Sequence, residues 1–130
     1  MPFVLIEVRK KYSPEQEIAI IDAVHSAIEA AFKRPDDINV RLLAHEPHRF
    51  PAPATKTHPE RYTNISIDCI VGRSLATKRN LYHQIVENLA LLDIPKDHVK
   101  ILLRETSNEN WGIRGGQAAC DVELGYTVEV

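Results

Sequence analysis

The second residue of the chain is a proline, set between Met1 and the apolar run Phe3-Val4-Leu5-Ile6-Glu7-Val8. Removal of Met1 leaves a prolyl secondary amine at the head of a strand. A free α-amino group titrates at about 8 in model peptides, and a prolyl amine is intrinsically more basic. Apolar surroundings and a nearby cation both disfavour the ammonium form and push that value down. An amine held neutral in this way abstracts a proton next to a carbonyl, whereas one left protonated acts as an acid. The residues leave both roles open.

Arg73 is the second candidate. Gly72-Arg73-Ser74 stands at a strand-to-helix junction. A guanidinium there, beside the free N–H groups of a helix starting near Ser74, makes a carboxylate site, since arginine binds carboxylates bidentately and a helix N-terminus favours anions. The same cation would lower the amine's pKa. A solvated arginine at a turn is the plainer alternative. His25, on an apolar helix face, is expected as a core histidine rather than a catalytic one. His45, His48 and His58 lack a tight ligand pattern, so no metal is expected. Cys69 lies in an apolar run and reads as a small core residue, and Cys69 with Cys120 makes neither a disulfide framework nor a zinc site.

These residues are positioned by a pattern that occurs twice. Residues 3–9 read as a strand. Ser13-Pro14-Glu15-Gln16 reads as a helix start, with Ser13 as N-cap, Pro14 at the first helical position and Gln16 closing a capping box. Ile18, Ile21, Val24, His25, Ile28 and Phe32 then recur at helical spacing. Pro35 is expected to end the helix, and Val40–Ala44 to form a second strand. The second half matches: a strand over 65–71, a turn at Gly72, Ser74 as cap, and a helical face of Leu75, Lys78, Leu81, Tyr82, Ile85, Leu89 and Leu92. Pro95 then stops the helix and a strand covers Val99–Leu103. The offset is about 60 residues.

This predicts one α+β domain over 1–130: repeat one 1–46, a proline-rich loop 47–63, repeat two 64–106 and a tail 107–130. Right-handed crossovers make each unit's strands parallel. Two units give a four-stranded sheet with both helices on one face. The other face carries enough apolar side chains to predict burial by another subunit, hence a homo-oligomer. The loop, with Pro47, Pro51, Pro53 and Pro59, is expected to help enclose a site. Strand pieces at Ala118–Val122 and Tyr126–Val130 would suit an edge that pairs with a neighbour. Within the repeat Pro2 corresponds to Thr63 and Arg73 to Tyr12. Each half lacks what the other has, which predicts one site per subunit.

The chain has 130 residues, 44% hydrophobic and 26% charged, with a net charge of −2. That balance gives no reason to expect nucleic acid or an anionic membrane as partner. No run approaches the length of a membrane span. No basic n-region and apolar h-region of a signal peptide is present, so the cytoplasm is the expected compartment.

Pro2, the two β-α-β units, Gly72-Arg73-Ser74 and the Asn110-Trp111 tail together resemble the tautomerase superfamily (4-oxalocrotonate tautomerase-like), over nearly the whole chain. The long fused-repeat members, including the malonate semialdehyde decarboxylase-like group, are the most similar. The resemblance implies a cofactor-free enzyme, a homotrimer, and the proline as catalytic base or acid. It also implies a functional role for Asp37, although Asp97 occupies a similar place in the second repeat. The decarboxylase-like group carries a second arginine where this chain has Val71, and its loss favours tautomerase over decarboxylase chemistry. Trp111 is expected at an oligomer contact or in the site wall, and Arg114, among Gly112, Gly115 and Gly116, as a second carboxylate clamp. The resulting expectation is a tautomerase acting on a small oxo carboxylic acid, with Pro2 and Arg73 catalytic and Arg73, Asp37, Arg114 and Trp111 binding substrate. Two alternatives stand beside it: a decarboxylase or hydratase of a 3-oxo acid with protonated Pro2 as acid, and a non-enzymatic oligomeric binding module.

Overall fold

The computed structural model describes residues 2–33, 37–125 and 128. Two β-α-β units build a four-stranded sheet. Strands β1 (Phe3–Arg9) and β2 (Asn39–His45) flank helix α1 (Pro14–Phe32), and β3 (Thr63–Ile70) and β4 (Val99–Thr106) flank α2 (Leu75–Ala90). The strand order is β2-β1-β3-β4. Each unit's strands are parallel, and β1 meets β3 antiparallel. A tail hairpin, β5 (Gly112–Ile113) and β6 (Gln117–Ala118), follows.

Both helices start as their sequences dictate. The Ser13 hydroxyl accepts the Gln16 N–H at 3.2 Å, and the Gln16 side chain accepts the Ser13 N–H at 2.8 Å. Those two bonds satisfy donors that no helical carbonyl can reach. Ser74 caps α2 through the Thr77 N–H in the same way. Alternation along β1 buries Val4, Ile6 and Val8 completely, and β3 buries Ile65, Ile67 and Cys69. They pack against Ile20, Val24, Ala27, Ile28 and Phe32 of α1 and Leu81, Ile85 and Leu89 of α2. Fully burying one such aliphatic side chain contributes about 1.5–3 kcal/mol.

The helical faces differ in part from the expected ones. Ile18 is 59% exposed and Leu75 58%. The buried stripe of α1 runs through Ile20, Val24, Ala27, Ile28 and Ala31, because α1 packs on both the sheet and α2. His25 is not a core histidine. Its ring is partly exposed and lies 3.5 Å from Glu29, one turn on. The helix stop at Pro35 lies outside the described residues, and the described helix closes at Lys33 in the left-handed conformation.

The sheet's helix-free face carries Phe3, Leu43 and Leu102, each about half exposed, as well as the Arg104–Asp68 ion pair. The tail covers one end of that face, where Ile70 and Ala119 are buried among Trp111, Ile113, Leu124 and Val128. Of the first expected tail segment, Ala118–Val122, only Ala118 is extended, as the end of β6. Ala119–Asp121 turn as a 3-10 helix, and β6 pairs antiparallel with β5. The strand expected over Tyr126–Val130 falls, Val128 apart, outside the described residues.

Candidate active site

The head of β1, the approach to β2 and the tail meet at one end of the sheet. There, Pro2, Phe3, Asp37, Asn39, Asn110, Trp111, Gly112 and Ile113 line a cleft of about 270 Å³. Pro2 is buried, and its carbonyl accepts the Asn39 N–H at 3.1 Å, which ties it to β2. Phe3 is in register with Asn39, so the parallel pairing places the Asn39 amide and, two residues upstream, Asp37 beside the proline. On the other side the Trp111 ring tilts against Phe3 at 5.3 Å, and its Nε1 donates to the Thr106 hydroxyl at 2.6 Å. The fold therefore brings together three of the five expected site residues: Pro2, Asp37 and Trp111.

Arg73 lies elsewhere at this end of the sheet. Gly72 takes a φ of 141°, a turn that a side chain would resist. Arg73 then folds inward, 6% exposed, with its guanidinium 4.2 Å over the Phe32 ring and Nη1 donating to the Ile70 carbonyl at 3.0 Å. It does not line the cleft. It acts on Cys69, whose thiol burial pushes up and Arg73 pulls back down. The β1–β3 register ends with Phe3 against Asp68, so Cys69, the next residue of β3, lies at the Pro2 end of the sheet. The cation thus stands at the Pro2 end of the sheet, on its helix side.

Arg114 also turns away. It sits at a φ of 49° in the hairpin turn, and its Nη1 donates to the Glu123 carbonyl at 2.7 Å. The proline-rich loop is at the other end of the sheet. Phe50 accepts a bond from Arg9, Glu46 pairs with Lys10, and Arg61 accepts one from Thr63. Seven residues of β1, about 20 Å, separate it from Pro2. It does not enclose this cleft within one subunit. His45, His48 and His58 diverge: His45, ending β2, bonds Glu7 at 2.9 Å, His58 stands 3.6 Å from Glu60, and His48 lies in the 3-10 turn Pro47–Arg49.

Five lining residues were not among the expected site residues: Phe3, Asn39, Asn110, Gly112 and Ile113. The signal for Asn39 was its place opposite Phe3 once a parallel register is drawn. Arg41 also escaped. It is exposed on β2, its guanidinium 5.5 Å from the Phe3 ring centre, which makes it the cation beside the cleft's aromatic wall. One further correction concerns the repeat. Phe3 pairs with Asn39 and Asn64 with Lys100, so His98 rather than Asp97 takes the place of Asp37 in the second unit.

Fused β-α-β units with a proline heading the first strand, at the edge of a cleft, define a tautomerase-like protein. A family model described as "Tautomerase enzyme" matches residues 36–114, more than half the sequence, and the chain belongs to that family, whose members are enzymes. A comparison with curated proteins finds no match. Among solved structures the chain is similar to the FG41 malonate semialdehyde decarboxylase inhibited by 3-bromopropiolate (28% identity, TM-score 0.79, covering 89% of this chain and 92% of that one). It is also similar in fold to a second malonate semialdehyde decarboxylase, described with decarboxylase and hydratase activities (21%, 0.81, 93% and 99%). A fused 4-OT asymmetric trimer shares the fold as well (22%, 0.80, 92% and 97%).

Proposed function

We propose that this protein is a cofactor-free tautomerase that moves a proton between carbon and oxygen of a small oxo carboxylic acid, with Pro2 as the base once Met1 has been removed. The observation that supports it most is the burial of Pro2 at the wall of an open cleft that also holds Asp37, Asn39 and Asn110. The neutral amine takes a proton from the carbon next to the carbonyl. Negative charge develops on the carbonyl oxygen, where the amides of Asn39 and Asn110 can donate hydrogen bonds as it forms. The resulting prolyl ammonium returns the proton to the other position. Arg73, buried at the same end of the sheet, disfavours that ammonium and so keeps the resting amine neutral. We assign the substrate carboxylate to Arg41 rather than to the inward-folded Arg73, with Trp111 packing against the rest of the substrate.

Asp37 favours the second reading. A carboxylate beside the amine stabilises the ammonium, in opposition to Arg73. If Asp37 prevails, Pro2 is an acid and the reaction is decarboxylation or hydration of a 3-oxo acid. The pH profile separates the two: turnover rises with pH through the amine's pKa if Pro2 is a base and falls if it is an acid. Ultraviolet absorbance follows ketonisation of a 2-oxo acid enol, and trapped carbon dioxide from a 3-oxo acid reports the alternative. Full turnover in Pro2→Ala, or an intact mass that retains Met1, would sink both.

We further propose a homotrimer, since fused 4-OT relatives of this fold are trimers and the helix-free face exposes Phe3, Leu43 and Leu102. Sedimentation equilibrium checks it. Among the described residues no helix is long and apolar enough to cross a membrane, and we place the enzyme in the cytoplasm.

A further inference from the structure

Trp111 is the chain's single tryptophan. Besides packing in the tail cluster with Ile70 and Ala119, its ring meets two groups from different strands. Phe3 of β1 meets it at a tilt of 54°. Aromatic pairs tolerate a broad range of offsets, so this contact leaves the indole's rotation loosely set. The second contact is directional: the indole has one donor, and it goes to the Thr106 hydroxyl at 2.6 Å. Thr106 is a firm anchor. It ends β4 in register with Ile70, and its carbonyl accepts the Val71 N–H at 2.9 Å. The equivalent pair in the first unit, His45 and Phe50, meets by flat ring stacking at 5.1 Å and has no such bond. The polar anchor therefore belongs to the open end alone.

We propose that Thr106 is a positioning residue: its hydroxyl fixes the Trp111 indole as a wall of the cleft, and the wall selects planar aryl or unsaturated substrate side chains over saturated alkyl ones. The selection rests on the reading of the Pro2 cleft as the active site, whereas the fixing of the indole does not.

Thr106→Val is nearly isosteric and removes only the hydroxyl, while Thr106→Ser keeps it. In the full-length protein without substrate, all tryptophan emission comes from Trp111. Acrylamide quenching should rise about twofold or more in Thr106→Val, as the freed N–H turns to water, and stay at the wild-type value in Thr106→Ser. With an aryl and an alkyl enol of 2-oxo acids, the ratio of the two KM values should shift about two- to tenfold against the aryl substrate, the worth of one aromatic contact. The loss in kcat should be smaller than the rise in KM. Unchanged quenching in Thr106→Val, or failure of Thr106→Ser to restore it, overturns the positioning. Equal KM rises for both enols overturn the selection. Should Thr106→Val not fold, Trp111→Phe keeps a ring, loses the N–H, and must shift the same KM ratio. Full turnover in Pro2→Ala would remove the active-site reading and leave the quenching result standing.

Discussion

At one end of the sheet Pro2 heads β1 beside an open cleft; at the other, Thr63 heads β3 and is fully buried. The same structural unit makes both ends. The N-caps Ser13 and Ser74 have matching backbone angles (φ −72°, ψ 163° and φ −72°, ψ 162°), and the strand registers repeat at that same spacing. At equivalent positions stand Pro2 and Thr63, Asp37 and His98, Trp111 and Phe50, Arg73 and Tyr12. The difference lies in what covers them. At the Thr63 end the loop between the units closes in. The Thr63 hydroxyl donates to the Arg61 carbonyl, and buried His98 accepts the His58 N–H at Nε2 (3.0 Å). Its Nδ1 therefore carries the hydrogen and donates to Asp97 at 2.7 Å. A second opening, at Asn64, Ser66 and Lys100 on the helix-free face, includes neither Thr63 nor His98. One β-α-β unit thus yields an open cleft, the proposed site, where its strand head is left uncovered, and a structural joint where a loop satisfies the same positions.

The comparison breaks first at the two strand heads. Pro2→Ala should lower turnover by about 10²-fold or more, the scale of losing a positioned base, with stability in urea near wild type. Thr63→Val should do the reverse: turnover within about twofold of wild type, and about 1 kcal/mol lost from folding as the Arg61 carbonyl loses its donor. Comparable activity losses in the two would erase the distinction between site and joint. The next pair exchanges readouts again. His98→Leu leaves the His58 N–H without its acceptor and should cost about 1–3 kcal/mol in urea denaturation without altering the KM of folded enzyme. Asp37→Asn, on the exposed equivalent position, should move the pH profile of turnover to lower pH, because a carboxylate that favours the ammonium is gone.

Most of the scaffold was legible, because its signals are local. Ser13 with Gln16, and Ser74, mark helix starts by bonds to their own third neighbours. Alternation in Val4, Ile6 and Val8 needs only one buried face. What was not legible depends on contacts far apart in sequence. With Ile18, Ile20 and Ile21 in one turn, α1's pattern leaves its rotation ambiguous until α2 packs on it. A turn arginine can face either side of a sheet, and Phe32, 41 residues upstream, draws Arg73 inward. The loop's location follows from β1 and β3 being antiparallel. The parallel β1–β2 pairing puts the end of β2 away from Pro2, the antiparallel one puts the start of β3 there too, and nothing in either strand's own residues encodes the latter.

The finest distinction between the two ends is electrostatic. His98, donating to Asp97, holds that carboxyl below its ordinary range, and Arg104 does the same to Asp68, opposite Phe3 at the Pro2 end, with bonds of 2.7 and 3.0 Å. A carboxyl depressed in the folded state adds stability that is present above its unfolded pKa, about 3.9, and lost as pH falls through the folded value. Stability in urea should therefore decline as pH is lowered through and below that range. Both carboxyls face solvent, so each share is small. Asp97→Asn should flatten the decline while leaving the pH profile of turnover where it was, since Asp97 belongs to the joint. Asp68→Asn should flatten it by a similar amount. A shift of the turnover profile in Asp97→Asn would mean that the second end still communicates with Pro2, and the division of the sheet into a site and a joint would fail at that point.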